Sequence, residues 1–476
     1  VLLTIISVFI YISSGNPINR DGILYLKAAQ SFLDSGIQGL LRLYKWPFYP
    51  ILIAITSKYL FISLEKAAYA WNTLFITIIV VAFISIIREV KVSRSVQFFS
   101  MIIIIGHPRL HHWTKYIIRD LGYWAFLMLF VLCIIRYCHK ARWKHFLLGG
   151  LCLIIASLFR IEGIIFILLY PLIFLVREEP FFNRMKKALL LYAILLVISG
   201  MAAFFCHLKG INIYTSTRLS EINIYMKCFS KVSAKLHHKG VMAGNAILAK
   251  PAKKWGTLFV SSGLMGIFIY KLIMTIWPVH FLLALYSILK GLFSTNRKIM
   301  AIIWILLAIN ILIPLFFLYE SFFLSYRFLM PASLLILLFV PFALERIYNN
   351  IRENKNRSLK IFNTIIMLTF FVLFIGAYMP PKHSKAYIRD AAIWIRHNIP
   401  SDCPIYSNDY VPELSYYSKH QIKKIIPSQK KIITNGYLVL SIRSQIKKKD
   451  FCSGDLTRLA YFSNNEGKVI YIFRCK

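Results

Sequence analysis

Acidic residues are scarce in this chain. Only 19 of its 476 residues are Asp or Glu, whereas 57 are Lys or Arg, so the net charge is +38 at pH 7. A nucleic-acid-binding protein would gather such charge into one patch beside an element that reads the bases. Here the basic residues are spread through loops between apolar runs, where membrane topology and anionic lipid headgroups account for them. Nucleic acid is therefore excluded as a partner, and membrane lipids are expected.

Charge of either sign is sparse, and the cysteines form no metal motif. Charged residues make up 16% of the chain and hydrophobic residues 58%, and the mean hydropathy is +0.62. This composition excludes a soluble globular protein and predicts an α-helical polytopic membrane protein. The eight cysteines include no CxxC pair, so metal ligation by cysteine is not expected.

Apolar runs predict about eleven membrane-spanning helices. Because a helix needs about 20 residues to cross a bilayer, the shorter runs must extend into polar flanks or form tilted hairpins. The first run has neither a basic start nor a cleavage site, so we interpret it as the remnant of a truncated span rather than a signal peptide. The runs lie at 1–13, 68–87, 95–106, 121–135, 146–159, 163–176, 188–206, 272–289, 299–319, 328–344 and 361–379.

Lysine and arginine placement predicts the orientation of these spans. Cytoplasmic loops carry the excess of basic residues, and alternate short loops of this chain are rich in them. The pattern puts three longer segments outside: a first outer loop at 14–67, a second outer loop at 207–271 and a tail at 380–476. We expect a membrane domain at 1–379 in a bacterial inner (plasma) membrane with the tail on the periplasmic side. The endoplasmic reticulum is the alternative.

The tail has a mixed pattern that predicts a small extracytoplasmic α/β domain. Residues 384–398 place apolar side chains at helical spacing, and 404–407 and 469–472 are typical of short strands. A length of about 95 residues suits an independent domain. The tail contains no nucleophile elbow, phosphate-binding loop or dinucleotide-binding glycine pattern, so we expect it to support the chemistry rather than perform it.

Three short outer segments place an acid beside an arginine near the end of a span. A charge inside a span costs roughly 2.5–3.5 kcal/mol, so charges kept at the membrane rim are expected to have partners or a function. We expect them to converge on one outer cavity. The segments are Arg20-Asp21, Arg119-Asp120 and Arg160-Ile161-Glu162, and Arg327 joins them from the outer end of a later span.

Each of these charges also has a simpler explanation. Asp21 could cap a helix that begins at Gly22. Asp120 could favour the positive N-terminal end of its span. Arg160 and Arg327 could extend their heads toward the membrane surface. Spacing alone does not decide between these explanations and a shared site.

Several stretches that follow one another along the outer face carry a family resemblance. They are Asp21-Gly22-Ile23-Leu24-Tyr25, Trp46-Pro47-Phe48-Tyr49-Pro50, Arg119-Asp120-Leu121, Phe159-Arg160-Ile161-Glu162-Gly163, Tyr326-Arg327-Phe328-Leu329-Met330-Pro331 and, in the tail, Ile388-Arg389-Asp390 and Ile405-Tyr406-Ser407-Asn408-Asp409. In this order they resemble the GT-C membrane glycosyltransferases, in particular the protein O-mannosyltransferase and aminoarabinose transferase branch. The resemblance extends over almost the whole chain. Many such relatives carry an acidic pair in the first outer loop, whereas here Gly22 follows Asp21.

This resemblance implies an activity. The chain would transfer a sugar from a polyprenyl-phosphate-linked donor to an acceptor on the outer face of the membrane. The acceptor would be lipid A, a surface glycan or a protein. Direct displacement by the acceptor would invert the anomeric centre.

The resemblance also implies roles for the outer residues. A positioned carboxylate can take the proton of the attacking hydroxyl, and arginines can hold the negative charge that grows on the leaving phosphate. Asp120 would orient the acceptor or a basic side chain, and Glu162 would fix Arg160. The candidates are Asp21 as base, Asp120 beside it, Arg160, Arg327, Lys45 and Lys115 for the donor phosphate, and Tyr25, Glu162 and Arg119 in support.

Two histidines raise the question of a metal. His107 and His111 are four residues apart, so a helix could place both imidazoles on one face for a divalent ion. The only acid nearby in sequence is Asp120, and arginines can stabilise a leaving phosphate without a metal. A structural role for the histidines is therefore favoured, and no cofactor is expected.

Other function classes remain open from the sequence. A transporter or flippase would have repeated halves with charges near the midplane, whereas here the distinctive charges lie at one face. An O-antigen ligase or polymerase would be expected to use a large outer loop between later spans. A non-catalytic scaffold on the same fold is a third alternative, because Gly22 replaces the second acid.

Overall fold

The structure is a computed structural model of the chain. It describes residues 15–90, 92–176, 180–208, 228–293, 295–353, 357–378, 385–425, 436–442, 456–465 and 467–475. The predicted span at 1–13 lies outside these residues.

Helices dominate the described residues. Two 3₁₀ helices, Tyr170–Val176 and Lys250–Trp255, connect neighbouring α-helices. The α-helices are α1 Arg20–Leu43, α2 Phe48–Leu60, α3 Leu64–Glu89, α4 Arg94–Gly106, α5 Pro108–Thr114, α6 Asp120–Lys140, α7 Trp143–Phe159, α8 Gly163–Leu169, α9 Phe181–Leu208, α10 Cys228–Ile247, α11 Gly256–Ile276, α12 Pro278–Leu289, α13 Arg297–Ser321, α14 Tyr326–Leu337, α15 Val340–Glu353, α16 Arg357–Tyr378, α17 Ala386–Asn398 and α18 Val411–Ser418.

Four helices of the described part are long and apolar enough to cross a membrane. They are α3, α6, α13 and the stretch Lys250–Ile276 that contains α11. The pair α14 and α15, bent by 45°, makes a fifth if it is one span. Other predicted spans correspond to apolar helices of 10–17 residues, such as α4 and α7. The described residues therefore hold fewer helices of crossing length than the eleven spans predicted, because several apolar runs are short or broken.

Two predicted boundaries differ from the structure. Within 207–271, the predicted second outer loop, the apolar helix α11 begins at Gly256 and belongs to a stretch that is long and apolar enough to cross a membrane. Its serines and glycines and Lys271 weaken the hydrophobic signal in the sequence. The span predicted for 272–289 is broken between α11 and α12, where Trp277 has a φ of 77° and Pro278 starts the next helix. Proline suits a helix start because it lacks the N–H that a continuing helix would use.

Helices α10 and α11 approach each other through glycine. Gly240 and Gly244 lie one turn apart on α10, next to Gly256 on α11. A Cβ atom on Gly240 would lie 2.5 Å from the Cα of Thr257, and one on Gly256 would lie 2.2 Å from the Gly240 carbonyl oxygen. Small residues four apart allow membrane helices to pack this closely. This contact therefore depends on the absence of side chains.

The tail contains a five-stranded sheet in the order β2-β1-β3-β5-β4, which confirms the small α/β fold. The strand β1 pairs in parallel with β2 and β3, and β5 pairs antiparallel with β3 and β4. The apolar face of α17 packs on the sheet, as its helical spacing predicts. The strands are β1 Ile405–Ser407, β2 Ile422–Lys424, β3 Gly436–Ile442, β4 Leu456–Ser463 and β5 Val469–Cys475.

Polar contacts join the tail to the start of α1. Arg20 donates from Nη2 to Asp409 at 2.8 Å and from Nε to Glu413 at 3.1 Å. The backbone N–H of Ile18 donates to the Tyr417 hydroxyl at 3.0 Å. Because Arg20 precedes the first acid of the predicted site, these contacts place the tail beside that site.

The close approach of α10 and α11 predicts that Gly240→Ala destabilises the protein. The added methyl group meets backbone atoms that have no room to move, and overpacking of this kind costs about 1–3 kcal/mol. Thermal unfolding in detergent micelles measures the effect. Gly263→Ala on α11 is the matched control, since a Cβ there meets nothing within 4 Å. Equal unfolding temperatures for the two variants would contradict the close contact.

Candidate active site

A single asparagine joins the first two acidic segments. Asn19 donates from Nδ2 to the Ile117 carbonyl at 3.1 Å, and its Oδ1 accepts from the Ile117 N–H at 2.9 Å. This pair of bonds, the Asn19 clamp, fixes the start of α1 against the loop that leads into α6. Asp21 lies in the first turn of α1 and Asp120 in the first turn of α6. The clamp therefore brings the two carboxylates to the same place.

The glycine after Asp21 has a packing reason. A Cβ on Gly22 would lie 2.9 Å from the Cβ of Ile117 and 2.8 Å from a side-chain atom of Ile18. These distances are too short for a side chain unless the neighbours move. The second acid expected from the resemblance would therefore have no room beside the Asn19 clamp.

Five of the predicted outer charges meet in one chain of ion pairs. Arg327 pairs through Nη1 with Asp21 and lies 3.9 Å from the Oδ2 of Asp120. Asp120 pairs in turn with Nη1 of Arg160. Glu162 accepts from the Nε of Arg160 at 3.0 Å and from its Nη2. Both arginines are thus held by carboxylates rather than extended alone toward the membrane surface.

Exposure separates the two aspartates. The side chain of Asp21 is 42% exposed, whereas that of Asp120 is 2% exposed. A buried carboxylate that loses its partners is strongly destabilising, so Asp120 is suited to holding the arginines in place. Asp21 does not cap its helix, since α1 already begins at Arg20. Of the two aspartates, Asp21 is therefore the one that a ligand can reach.

A cavity of about 230 Å³, the site cavity, lies beside these ion pairs. Three of its lining side chains have a buried N–H with no hydrogen-bond partner among the described residues: Trp46 at Nε1, Arg119 at Nη1 and Arg327 at Nε. A buried donor without a partner costs about 1–3 kcal/mol, and such groups are uncommon. Guanidinium donors in this state suit a negatively charged ligand.

The predicted phosphate-binding residues differ in how they contact the site cavity. Arg327 lines the site cavity with an unused donor. Arg160 also lines it, but its guanidinium donates to Asp120 and Glu162, which suits positioning better than phosphate binding. Lys45 and Lys115 do not line this cavity.

Arg119 and Tyr25, two of the residues predicted to support the site, line the site cavity itself. Tyr25 packs edge-on against Tyr44, with ring centroids 5.2 Å apart, and the Arg119 guanidinium lies 5.8 Å from the same Tyr44 ring. The ring of Tyr44, which packs against Tyr25, therefore lies beside the Arg119 guanidinium, one of whose donors is unused.

Sequence reasoning missed two features of this site. The Asn19 clamp was not foreseen, although an amide immediately before Arg20-Asp21 was a signal. Phe328 was noted only as part of a motif, yet its ring lies 4.6 Å from the Arg160 guanidinium carbon. An aromatic face at this distance attracts the cation, so Phe328 helps to fix Arg160.

His107 has structural partners. His107 accepts at Nδ1 from the Leu110 N–H at 3.1 Å, and its Nε2 bonds the Ile276 carbonyl at 3.1 Å. Both ring nitrogens of His107 are thus engaged. Burial lowers the pKa of His111 to about 4, so its ring is neutral at pH 7. Among the residues the structure describes, no three His, Cys, Asp or Glu side chains form a group that could hold a metal ion.

The buried ion pair predicts a large loss of stability in Asp120→Ala. Removal of the carboxylate leaves Arg160 buried with an uncompensated charge, so the free energy of unfolding should fall by about 3–5 kcal/mol. Thermal unfolding in detergent measures it. Glu320→Ala is the control, because Glu320 pairs with a half-exposed Lys235 and surface pairs contribute about 0–1 kcal/mol. Similar losses in both variants would show that the ion pair contributes little.

The Glu162 carboxylate predicts a pH-dependent part of this stability. Burial alone would raise the pKa of Glu162, but Arg160 outweighs it and holds the pKa below the usual 4.5. As the pH falls, the Glu162 carboxylate therefore takes up a proton at a higher pH in the unfolded chain than in the folded protein. The stabilisation that ionised Glu162 gives above about pH 4.5 is lost as the pH falls below that value. Unfolding temperatures of the wild type and Glu162→Gln should converge as the buffer is acidified through this range. A difference that stays constant with pH would contradict the assignment.

The fold is similar to that of solved membrane glycosyltransferase structures. ArnT from Cupriavidus metallidurans matches with a TM-score of 0.53 when bound to undecaprenyl phosphate, at 11% identity over 99% of this chain and 96% of that one. Its apo form matches with a TM-score of 0.54, at 11% identity over 99% and 97% of the two chains. No protein-family model and no curated protein matches. The chain thus has the GT-C-like fold of a multi-pass helical membrane protein with a small C-terminal domain, as the resemblance implied.

Proposed function

We propose that this chain is an integral membrane glycosyltransferase that moves a sugar from a polyprenyl-phosphate-linked donor to an acceptor hydroxyl. The observation that carries the proposal is the site cavity itself. It combines one exposed carboxylate, Asp21, with unused guanidinium donors on Arg119 and Arg327. These are the groups that deprotonation of a hydroxyl and departure of a phosphate require.

An apolar path along α13 suits a polyprenyl tail. Ile302, Ile305, Leu306 and Ile309 line an apolar cavity of about 170 Å³. Farther along the same helix, a smaller cavity is lined by Asn310, Ile313, Pro314 and Phe317. This spacing of three and four residues follows one helix face, and Phe317 also lines the site cavity. From 302 to 317 the path is about 22 Å long at 1.5 Å per residue.

The proposed reaction has one displacement step. The acceptor oxygen forms a bond to the anomeric carbon of the sugar while the bond from that carbon to the phosphate oxygen breaks. The hydroxyl proton passes to Asp21, and the electron pair leaves with the lipid phosphate, whose charge Arg119 and Arg327 bind. Backside attack inverts the anomeric centre. Asp120, Arg160 and Glu162 keep Arg327 in place.

The positions of the groups favour this reaction over transport. A transporter would place its distinctive charges near the membrane midplane between repeated halves, whereas here they lie at helix starts and loop ends beside the tail. ArnT, whose fold is similar, has been solved with undecaprenyl phosphate, which supports the proposed donor class. We place the protein in a bacterial inner membrane, with the site and the tail on the periplasmic side. The membrane domain would extend to about residue 379 and the tail from there on, as the sequence pattern predicts.

Asp21→Asn should abolish most of the transfer activity. A general base contributes typically about 10²- to 10⁴-fold, and the amide cannot accept the hydroxyl proton. Transfer of radiolabel from polyprenyl-phosphate sugars to membrane extracts is measured with the wild type and the variant at matched expression. We expect a loss of at least about 100-fold.

Asp34→Asn is the matched control for this experiment. Asp34 lies on the same helix, is exposed and accepts a hydrogen bond from Gln30 at 2.8 Å. Its variant should transfer at the wild-type rate. If Asp21→Asn retains full activity, Asp21 is not the base; if the wild type transfers no sugar from any donor, a scaffold or transporter becomes the better explanation.

A further inference from the structure

A second cavity, the tail cavity, adjoins the site cavity. It has a volume of about 480 Å³ and is lined by the start of α1, the loop before α6 and residues of the tail. Asp21 and Arg327 line both cavities. A molecule in the tail cavity would therefore lie beside the proposed base.

The tail cavity contains an unused acceptor and an unused donor. Glu413 is buried, with 7% of its surface exposed, and one carboxylate oxygen accepts from Arg20 at 3.1 Å. Its other oxygen has no hydrogen-bond partner among the described residues, and neither does the buried indole N–H of Trp113. Both side chains line the cavity. A carboxylate oxygen that accepts and an indole that donates match a hydroxyl-bearing ligand, since a hydroxyl does both.

The charges of the tail cavity balance. Arg20, Lys385 and Arg327 line it together with Asp21, Asp409 and Glu413. Two of these carboxylates are engaged by Arg20 and one by Arg327. A phosphate-rich ligand would therefore meet no surplus of positive charge, and the unused carboxylate oxygen of Glu413 would repel it.

Aromatic side chains add a flat apolar surface. The rings of Trp113 and Tyr116 lie 5.7 Å apart, and Tyr410 lines the same cavity from the tail. Aromatic faces bury the apolar side of a ligand while their polar ends bond it. A volume of about 480 Å³ is within the usual range for small-ligand pockets.

We propose that the tail cavity binds a neutral carbohydrate and that this carbohydrate is the acceptor of the transferred sugar. Glu413 accepts a hydrogen bond from one hydroxyl group and Trp113 donates one, which directs another hydroxyl toward Asp21. The acceptor role rests on the proposed glycosyltransferase function. Because Glu413 belongs to α18, the tail supplies part of the acceptor site in addition to supporting the fold.

Direct binding tests the proposal without any donor. The purified full chain in detergent is titrated with lactose and chitobiose, and binding is followed by saturation-transfer NMR and calorimetry. Glucose 6-phosphate and a serine-containing hexapeptide are the competing ligands. We expect the neutral sugars to bind, and Glu413→Gln and Trp113→Phe each to weaken them at least about tenfold, since each removes a bond made in a buried site.

Matched controls separate a local effect from a general one. Glu320→Gln and Trp255→Phe change the same residue types at positions that do not line the cavity and should leave sugar binding unchanged. Glu413→Gln also alters the contact with Arg20, so unfolding temperatures are measured for every variant. Trp113→Phe leaves that contact intact and gives an independent result. Preferred binding of glucose 6-phosphate or of the hexapeptide would overturn the proposal.

The test also distinguishes this proposal from the function on which it rests. A chain that transfers sugar to lipid or protein yet binds neither neutral sugar keeps the glycosyltransferase function and loses the carbohydrate site. A chain that binds the neutral sugars through Glu413 and Trp113 yet transfers nothing keeps the carbohydrate site and loses the acceptor role.

Discussion

The buried pair of Asp120 and Arg160 is the interaction on which the candidate site depends. Two charges taken out of water are tolerable only when each satisfies the other and further hydrogen bonds complete the set. Glu162 and Arg327 complete it here. As a result, α6, the loop after α7 and the start of α14 must meet at one point. The exposed Asp21 then lies against Arg327.

This arrangement divides the charged groups into a rigid part and an available part. Asp120, Arg160 and Glu162 use their polar atoms on one another, whereas Arg119, Arg327 and Trp46, which line the site cavity, each retain an unused donor. Preorganised donors of this kind stabilise developing charge because they need not reorient during a reaction. The buried ion pairs and the helix packing around them offset the free-energy cost of leaving these donors without partners.

Much of this could be predicted from the sequence, for reasons that differ between elements. Composition and apolar runs predicted a polytopic helical protein, and the alternation of basic loops grouped the acids of the candidate site before any distance was known. The pairing of Arg160 with Glu162 was expected, and the two residues are close in sequence. The second carboxylate of Arg160, Asp120, and the pairing of Arg327 with Asp21 could not be predicted, because they depend on packing between distant segments. The helix α11 was missed because serine, glycine and Lys271 interrupt its apolar pattern. The steric need for Gly22 depends on Ile117, almost a hundred residues away, and no local pattern records it.

The contacts between the start of α1 and the tail join residues that are synthesised at different times. Arg20 and Glu413 are 393 residues apart in the chain, and Ile18 and Tyr417 are 399 apart. At about 5–20 residues per second, synthesis needs on the order of 20–80 s to deliver the second partner after the first. During that interval the start of α1 lacks its tail contacts. Asp21 cannot pair with Arg327 until that residue is synthesised, 306 residues later. The contacts between the start of α1 and the tail therefore form only after the tail has been synthesised, whereas the ion pairs of the candidate site can already form once Arg327 is in place.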